Sequence, residues 1–328
     1  MKAIVYHNYG SPDVLQLKEE AKPAPKDNEV LIQVHAASVN SWDWDLLRGK
    51  PYLFRFLFFG FLKPKYKIPG ADIAGRVEAI GKDVKQFHPG DEVFGDLCES
   101  GWGGFAEYVC AQENALALKP ANMAFNEAAA VPQAALLALQ GLCNKGPLQP
   151  GQKILINGAG GGVGTFAIQI AKSFGAEVTG VDSTRKLDMV RSLGADHVID
   201  YTQEDFTKNG RRYDLILDIA GCHSIFDYKR ALSPQGMYIM VGGSIGLIFQ
   251  TLLLGSWISF TGSRKMGILA HKPNRDMGLM KDLLEAGKVK PVIDRQYPLS
   301  ETPEALRYFG EGQVKGKVVI TMEHAYKT

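Results

Sequence analysis

A glycine-rich stretch, GAGGGVG at residues 158–164, has the residue types and spacing of a diphosphate-binding turn between an apolar segment and the amphipathic residues 165–174. Where a strand turns into a helix, free backbone N–H groups and the positive end of the helix dipole converge, which suits a diphosphate. In the Ala159-x-Gly161-x-x-Gly164 register, Gly161 has no Cβ to block the phosphates and Gly164 lets the helix approach the strand. The pattern predicts dinucleotide contacts from Gly160, Gly161, Gly162, Val163 and Gly164.

The rest of a dinucleotide-binding unit follows along the chain. A second apolar strand at residues 177–181 ends at Asp182, about where a ribose-binding carboxylate belongs. Further apolar runs alternate with helical stretches, at residues 197–200, 214–218, 237–241 and 266–270. This alternation predicts an α/β fold with a doubly wound parallel sheet. We expect its carboxyl edge to bring three more residues to the cofactor, Gly221, Gly242 and Gly243.

The composition of the whole chain narrows the function classes. Its 328 residues, 45% hydrophobic and 22% charged, suffice for two globular domains. The formal net charge of +2 gives no reason to expect a nucleic-acid partner. Four dispersed cysteines without a C-x-x-C pair, and no visible export signal, favour a reduced, cytoplasmic protein. The apolar residues 245–260 are too few to span a membrane, so we expect them to be buried or to form an interface.

The chain before and after the dinucleotide unit has a different sequence pattern. Short alternating runs punctuated by Pro and Gly, such as residues 29–35 and 75–81, predict a mostly antiparallel, barrel-like domain. We expect the apolar, mostly aromatic residues 54–62 to cover an active site or to contact another subunit rather than to contact a membrane. Late in the chain we expect helices at 276–286 and 303–309 and strands at 289–293 and 317–321. The predicted domains are 1–122 completed by 274–328, and 123–273.

Several further motifs are spread over nearly the whole chain. They read AASVN at 36–40, PGADIAG at 69–75, PGDEVFG at 89–95, GGFAEY at 103–108, LGAD at 193–196 and GKVVI at 316–320. Together with the glycine turn, they resemble the medium-chain dehydrogenases/reductases of the zinc-free quinone oxidoreductase type. The resemblance implies a GroES-like catalytic domain joined to a Rossmann domain, hydride transfer in the cleft between them, and a homodimer.

The same resemblance bears on zinc. Alcohol dehydrogenases of this superfamily hold a catalytic zinc with Cys, a Gly-His-Glu motif and a further Cys or Asp. Here the first position is Asn40 and the motif reads Gly70-Ala71-Asp72. Because alanine has no ligand atom and asparagine is a poor zinc ligand, we expect no metal. Without a strong Lewis acid, the logical substrates are small hydrophobic quinones or α,β-unsaturated carbonyls, whose product anions are delocalised.

The resemblance also implies catalytic residues. It places Asn40 in the substrate pocket with Asp43 nearby, and an amide N–H of Asn40 can donate to a developing oxyanion without transferring a proton. Asp43 either takes part in catalysis or braces the turn. Where the family has a threonine that contacts the nicotinamide, this chain has Leu137. Tyr52, Tyr66 and solvent are all candidate donors of the final proton.

The choice between NADPH and NADH depends on opposing charges. Asp182 would accept hydrogen bonds from ribose hydroxyls and repel a 2′-phosphate, which is typical of NAD enzymes. By resemblance, Ser183, Lys186 and Tyr201 match positions that cradle the 2′-phosphate of NADP. A cation at Arg185 or Lys186 would compensate for the carboxylate, although both are also explained as solvated charges at a helix start. NADPH is favoured, with NADH as the alternative.

Three functions remain open at this stage. The leading hypothesis is NADPH-dependent reduction of quinones or enones. The alternatives are an NAD(P)-dependent alcohol dehydrogenase and a non-catalytic dinucleotide-binding sensor. Consumption of NADPH with conjugated acceptors would support the first, alcohol oxidation the second, and tight binding without turnover the third.

Overall fold

The computed structural model describes residues 1–52, 55, 59–145 and 148–323, which fall into two compact units. The first unit comprises Met1–Gln133, Pro273–Glu285 and Pro291–Thr328, and the second comprises Ala134–Lys272 and Ala286–Lys290. In this division the first unit runs without interruption as far as Gln133. Outside the described residues lie four members of the expected aromatic cover, Phe54, Phe56, Leu57 and Phe58.

The first unit begins with short strands and few helices. Its strands up to residue 118 are β1 (Lys2–Val5), β2 (Gln16–Glu19), β3 (Glu29–Val39), β4 (Asp72–Ile80), β5 (Glu92–Asp96), β6 (Tyr108–Gln112) and β7 (Ala117–Leu118). Its helices are α1 (Ser41–Arg48) and α2 (Phe125–Ala129), and α3 (Pro132–Leu139) leads out of the unit. β3 is largely buried and pairs with β4 on one side, so its carboxyl end is held inside the unit.

The second unit alternates strands with helices. The strands are β8 (Lys153–Asn157), β9 (Glu177–Asp182), β10 (His197–Asp200), β11 (Tyr213–Asp218), β12 (Leu232–Met240) and β13 (Lys265–Ile268). The helices are α4 (Gly162–Ser173), α5 (Leu187–Ser192), α6 (Ile225–Ala231), α7 (Ile245–Gln250) and α8 (Ser256–Thr261). All pairings are parallel, in the order β10-β9-β8-β11-β12-β13. The predicted doubly wound sheet is confirmed, and its order reverses between β8 and β11.

The end of the chain adds two helices and two strands to the first unit, and the strands complete its sheet. These elements are α9 (Met277–Glu285), β14 (Ile293–Pro298), α10 (Thr302–Gly310) and β15 (Lys317–Thr321). The order of this sheet is β14-β15-β3-β4-β5-β7, and β6 pairs with β3. The two late helices and the last strand are confirmed. The strand expected at 289–293 was wrong in position, because Pro291 has no N–H for a ladder and β14 begins only at Ile293.

The apolar residues 245–260 fall in α7, a π-helical segment Thr251–Gly255, and α8. One face is buried, as expected, through Leu247, Thr251, Gly255 and Ile258. The other face exposes large side chains that follow each other at helical spacing, Leu253, Trp257 and Phe260. Phe260 is 91% exposed. Among the described residues, no helix combines the length and apolar character needed to cross a membrane.

Candidate active site

Asn40 lies between the end of β3 and the start of α1, and Asp43 lies in the first turn of that helix. The carboxylate of Asp43 accepts hydrogen bonds from two backbone N–H groups, that of Asn40 at 2.8 Å and that of Gly70 at 3.0 Å. Such bonds satisfy donors that a helix start and a turn would otherwise leave unpaired. Asp43 therefore has the geometry of a bracing residue, which holds Asn40 in place against the segment before β4.

A buried lysine completes this cluster. Lys317 opens β15, and the antiparallel pairing of Val318 with Val39 brings it beside Asn40. Its Nζ donates to the carbonyl oxygen of Val39 at 3.1 Å and to Oδ1 of Asn40, and it lies 3.7 Å from the Asp72 carboxylate. Sequence reasoning missed Lys317 as a site residue. The available signal was a charged residue at the start of the apolar run KVVI.

Burial shifts the acid–base equilibria of the cluster. It raises the pKa of Asp43 to about 7, although two backbone N–H groups and Lys317 act against the shift. It also raises the pKa of Asp72 to about 7, opposed by the Lys317 ammonium and the Asn40 side chain. The pKa of Lys317 is lowered by burial, while the charges of Asp72, Asp43 and Asp96 raise it. Protonation of this cluster is thus shared among coupled groups near neutral pH.

The side-chain amide of Asn40 is satisfied at one end only. Its oxygen accepts from Lys317, whereas its Nδ2 has no hydrogen-bond partner within 3.5 Å among the described residues and acts on the Asp72 carboxylate only at longer range, although Asn40 is only 5% exposed. Leaving a buried donor unpaired costs about 1–3 kcal/mol, so each such donor calls for an explanation. An N–H group held in this way can donate a hydrogen bond to the oxygen of a bound carbonyl compound.

In the second unit, the glycine turn joins β8 to α4 beside the point where the strand order reverses. Gly161 caps α4, and a Cβ there would have Gly158 O, at 3.5 Å, as its close neighbour. At Gly164, a Cβ would lie 2.2 Å from Gly158 O, so the packing of the helix on the turn requires glycine. Residues 162–164 form the first turn of α4, where backbone N–H groups have no helical acceptor and suit an anion.

Asp182 ends β9 and faces the glycine turn. Its carboxylate accepts hydrogen bonds from the backbone N–H groups of Gly160 and Ser183, each at 2.8 Å, and Lys186 Nζ lies 3.9 Å away. The backbone N–H of Tyr201 donates to the carbonyl oxygen of Asp182 at 3.2 Å, and its side chain is exposed. The structure therefore brings together residues that the sequence predicted for the ribose region, Asp182, Ser183, Lys186 and Tyr201. Arg185 belongs to the short turn Thr184–Lys186 and is exposed.

The later glycines lie together at the carboxyl ends of β11 and β12. Gly221 N–H donates to Gly242 O at 3.3 Å, and Gly221 forms a parallel bridge with Gly243. A Cβ on Gly242 would lie 2.5 Å from the carbonyl oxygen of Ile219. Close packing of the two segments therefore requires glycine at this position, whatever binds there.

A buried carboxyl group that sequence reasoning missed lies below these glycines. Asp218 ends β11 and accepts hydrogen bonds from Asn157 Nδ2 and from the hydroxyl of Tyr238, both at 2.8 Å. Burial raises the pKa of Asp218. Because Asn157 ends β8, these bonds tie together the two strands between which the sheet order reverses.

The remaining residues considered from the sequence lie elsewhere. Tyr52 is a surface residue at 68% exposure. Tyr66 is half-buried, and its ring centroid lies 6.1 Å from that of Trp102, so it packs as an aromatic side chain. Leu137 is half-buried in α3.

The chain combines a parallel sheet, which has a glycine turn where its strand order reverses, with an antiparallel unit that holds a buried polar cluster. This architecture is that of a pyridine-nucleotide oxidoreductase. Residues 26–121 match the family described as "Alcohol dehydrogenase GroES-like domain", and residues 193–320 match "Zinc-binding dehydrogenase".

Relatives over the whole chain narrow this class. The chain is 37% identical to a 2-methylene-furan-3-one reductase of Solanum lycopersicum, an alignment that covers 98% of this chain and 79% of that protein. It is 34% identical to an NADPH-dependent alkenal/one oxidoreductase of Arabidopsis thaliana, with the same coverage of both. A quinone oxidoreductase structure from Coxiella burnetii superposes with a TM-score of 0.86 at 30% identity, covering 98% and 99% of the two chains. The chain belongs to the medium-chain dehydrogenase/reductase superfamily, in its quinone oxidoreductase-like branch.

The description of one matched family raises the question of zinc. Across the described ranges, no group of three or more His, Cys, Asp and Glu side chains is arranged to hold a metal ion. Asn40 Oδ1 already accepts from the Lys317 ammonium, and Ala71 has no ligand atom. A zinc ion beside Asn40 would also meet the positive charge of Lys317. The residues at this position therefore do not fit a zinc site.

Proposed function

We propose that this protein is a zinc-independent, NADPH-dependent reductase of quinones or α,β-unsaturated carbonyl compounds. The observation that carries the proposal is the buried Nδ2 of Asn40, an unpaired donor in a setting that does not suit a metal. Bound NADPH supplies the hydride. For the hydride step, a conjugated acceptor needs hydrogen-bond stabilisation of its oxygen as charge develops, because the product anion is delocalised, and solvent then supplies the proton that completes the reduction. The activities named for the Solanum lycopersicum and Arabidopsis thaliana relatives support this class of acceptor.

Asn40 and Asp43 have different roles in this proposal. Asn40 donates its free amide N–H to the carbonyl oxygen of the acceptor, and its orientation decides how well that oxygen is stabilised. Asp43 acts through Asn40, because its carboxylate binds the Asn40 backbone N–H at 2.8 Å. Functionally, we assign residues 1–122 with 274–328 to the catalytic domain and 123–273 to the dinucleotide domain.

The nucleotide is proposed to bind along the edge of the parallel sheet. Its diphosphate would take the N–H groups of residues 162–164 at the start of α4, beside Gly160 and Gly161, whose own N–H groups donate to Asp182 and to Gly158 O. Gly221, Gly242 and Gly243 would border the rest of the cofactor. Lys186 supports NADPH over NADH, because its ammonium lies beside Asp182 and offsets that carboxylate. Ser183, Arg185 and Tyr201 complete the proposed 2′-phosphate site.

We also infer a homodimer in a reducing, cytoplasmic setting. The exposed stripe of Leu253, Trp257 and Phe260 precedes β13, which ends the order of the parallel sheet. A second copy of this chain is the proposed cover, since exposed apolar patches beside sheet edges are commonly buried by subunit contacts. In the part of the chain that the structure describes, the four cysteines form no disulfide, which fits a reducing compartment. Sedimentation of the protein as a monomer would contradict the dimer.

The test is an assay panel with NADPH or NADH against quinones, enones, saturated ketones and alcohols, with and without a chelator. We expect turnover with NADPH and conjugated acceptors, unaffected by the chelator. Asn40→Asp keeps the size of the side chain and gives Lys317 a new partner, but it removes the N–H donor. We expect kcat to fall about 100-fold, the loss typical of one oxyanion donor, with the KM for NADPH unchanged.

Asn126→Asp, a matched substitution in α2 of the same unit, should leave kcat unchanged. Zinc-dependent alcohol oxidation would overturn the proposal in favour of an alcohol dehydrogenase. Tight NADPH binding without reduction of any acceptor would make the protein a sensor instead.

A further inference from the structure

The ammonium group of Lys317 is buried, where a charged group is unfavourable unless an interaction compensates for the loss of water. The side chain is 3% exposed, and moving an ammonium out of water is costly unless it is well paired. Two of its contacts are carbonyl oxygens, Val39 O and Asn40 Oδ1, and its carboxylate neighbour Asp72 lies at 3.7 Å rather than in close contact. A lysine kept only to neutralise Asp72 would gain more from a direct ion pair. The contact that distinguishes Lys317 is therefore the one to Asn40.

We propose that Lys317 is a positioning residue for Asn40. A side-chain amide has two orientations of similar shape, which exchange the positions of its oxygen and its NH₂ group. An ammonium group is compatible with only one of these orientations, because it donates to the amide oxygen and would repel the NH₂ hydrogens. Lys317 therefore keeps Nδ2 as the group that remains to donate to the carbonyl oxygen of the acceptor. This inference rests on the proposed function of Asn40.

The ammonium does more than select an orientation. Donation to the amide oxygen draws electron density through the C–N bond and strengthens the N–H groups as donors. The cation beside Asn40 is thus a side chain of the protein itself. It acts on the acceptor oxygen through the Asn40 amide rather than by direct coordination.

The experiment must separate positioning from folding, since Lys317→Met leaves Asp72 as a buried charge without its cation. The double substitution Lys317→Met with Asp72→Asn removes one positive and one negative charge, so the net charge of the cluster is unchanged. We expect this variant to fold, to keep the KM for NADPH within about threefold, and to lose about 10- to 100-fold in kcat, less than or equal to removal of the donor itself.

Lys119→Met is the matched control, because Lys119 is equally buried in the same unit. Its side chain is 4% exposed and donates to the carbonyl oxygens of Pro120 and Met123, but it has no contact with Asn40. This substitution should lower the melting temperature and leave kcat unchanged.

A double-mutant cycle tests whether Lys317 acts through Asn40. In the background of Asn40→Ala, which has no amide to orient, the charge-balanced Lys317/Asp72 variant should cause no further loss in kcat. Wild-type kcat in the folded, charge-balanced variant would overturn the inference. So would an equal loss in both backgrounds, which would show that Lys317 acts on the reaction independently of Asn40. A normal kcat in Asn40→Ala itself would contradict the proposed role of Asn40 in the reaction. That result is distinct from the two outcomes that contradict the positioning role of Lys317.

Discussion

The two candidate binding regions of this protein are built in opposite ways. The glycine turn presents backbone N–H groups from consecutive residues, 162–164, and needs no particular side chain there beyond the absence of a Cβ at Gly161 and Gly164. The cluster around Asn40 presents side chains from separate strand ends, and Lys317 lies 277 positions away from Asn40 in the chain. A site of the first kind serves any dinucleotide enzyme. A site of the second kind can vary residue by residue, and it is where the chemistry of one branch is decided.

The two regions also differ in what a substitution disturbs. The turn lies at a sheet edge, and its open side faces away from packed atoms at Gly161. The cluster is buried and contains coupled charges, so each substitution there changes folding as well as chemistry. A variant at Gly161 should therefore affect binding alone, whereas variants of the cluster need a charge-balanced partner.

The largest effect is expected for Gly161→Val. Gly161 has φ −87° and ψ −179°, an extended conformation open to any residue, and a Cβ there meets only Gly158 O at an ordinary 3.5 Å. The fold should therefore tolerate valine, with a melting temperature close to that of the wild type. The added methyl groups would occupy the place of the diphosphate, so we expect the Kd for NADPH to rise more than about 100-fold by titration calorimetry.

Gly164→Ala is the informative companion, because its Cβ would lie 2.2 Å from Gly158 O and should destabilise the fold itself. Unchanged NADPH affinity in Gly161→Val would place the diphosphate elsewhere. The contrast between a backbone site and a side-chain site would then disappear.

The same contrast explains what the sequence could predict. The glycine turn and the strands of the parallel sheet were predicted because each leaves a pattern within a few residues. Lys317 was not, because its place depends on the pairing of Val318 with Val39, a contact that forms only in the folded protein. Residues 245–260 show a related limit, since hydrophobicity predicted burial or an interface but not which face of α7 and α8 is exposed.

A smaller effect is expected for a substitution of Lys186, whose side chain lies beside the carboxylate that binds the turn. Lys186 Nζ lies 3.9 Å from the Asp182 carboxylate, which in turn accepts from the N–H of Gly160. Lys186→Met would leave that carboxylate to repel a 2′-phosphate, so the KM for NADPH should rise about 10-fold while that for NADH changes little.

The control for Lys186→Met is Lys172→Met, which removes another lysine–aspartate pair of the second unit, Lys172 with Asp196 at 2.8 Å. It should alter neither KM. An equal rise in KM for both nucleotides in Lys186→Met would mean that Lys186 does not read the phosphate.

The last effect concerns stability rather than binding, and it is a pH dependence to which the buried Asp43 contributes. Burial raises the pKa of Asp43 from 3.8 to about 7, so between these values the folded protein binds more protons than the unfolded chain. The contribution of Asp43 to the free energy of unfolding must therefore decrease as pH rises, by at most about 1.4 kcal/mol per pH unit, and level off above the folded pKa. Asp43→Asn removes this titration, and it should be less stable at low pH because an amide cannot accept from both Asn40 and Gly70.

Urea denaturation of the two proteins from pH 5 to pH 8 measures the difference. The gap between the wild type and Asp43→Asn should narrow as pH rises and become constant near pH 8. A parallel pair of curves would mean that Asp43 stays ionised throughout, held by its two backbone donors. The cluster would then resemble the glycine turn in depending on backbone N–H groups more than on the balance of buried charges.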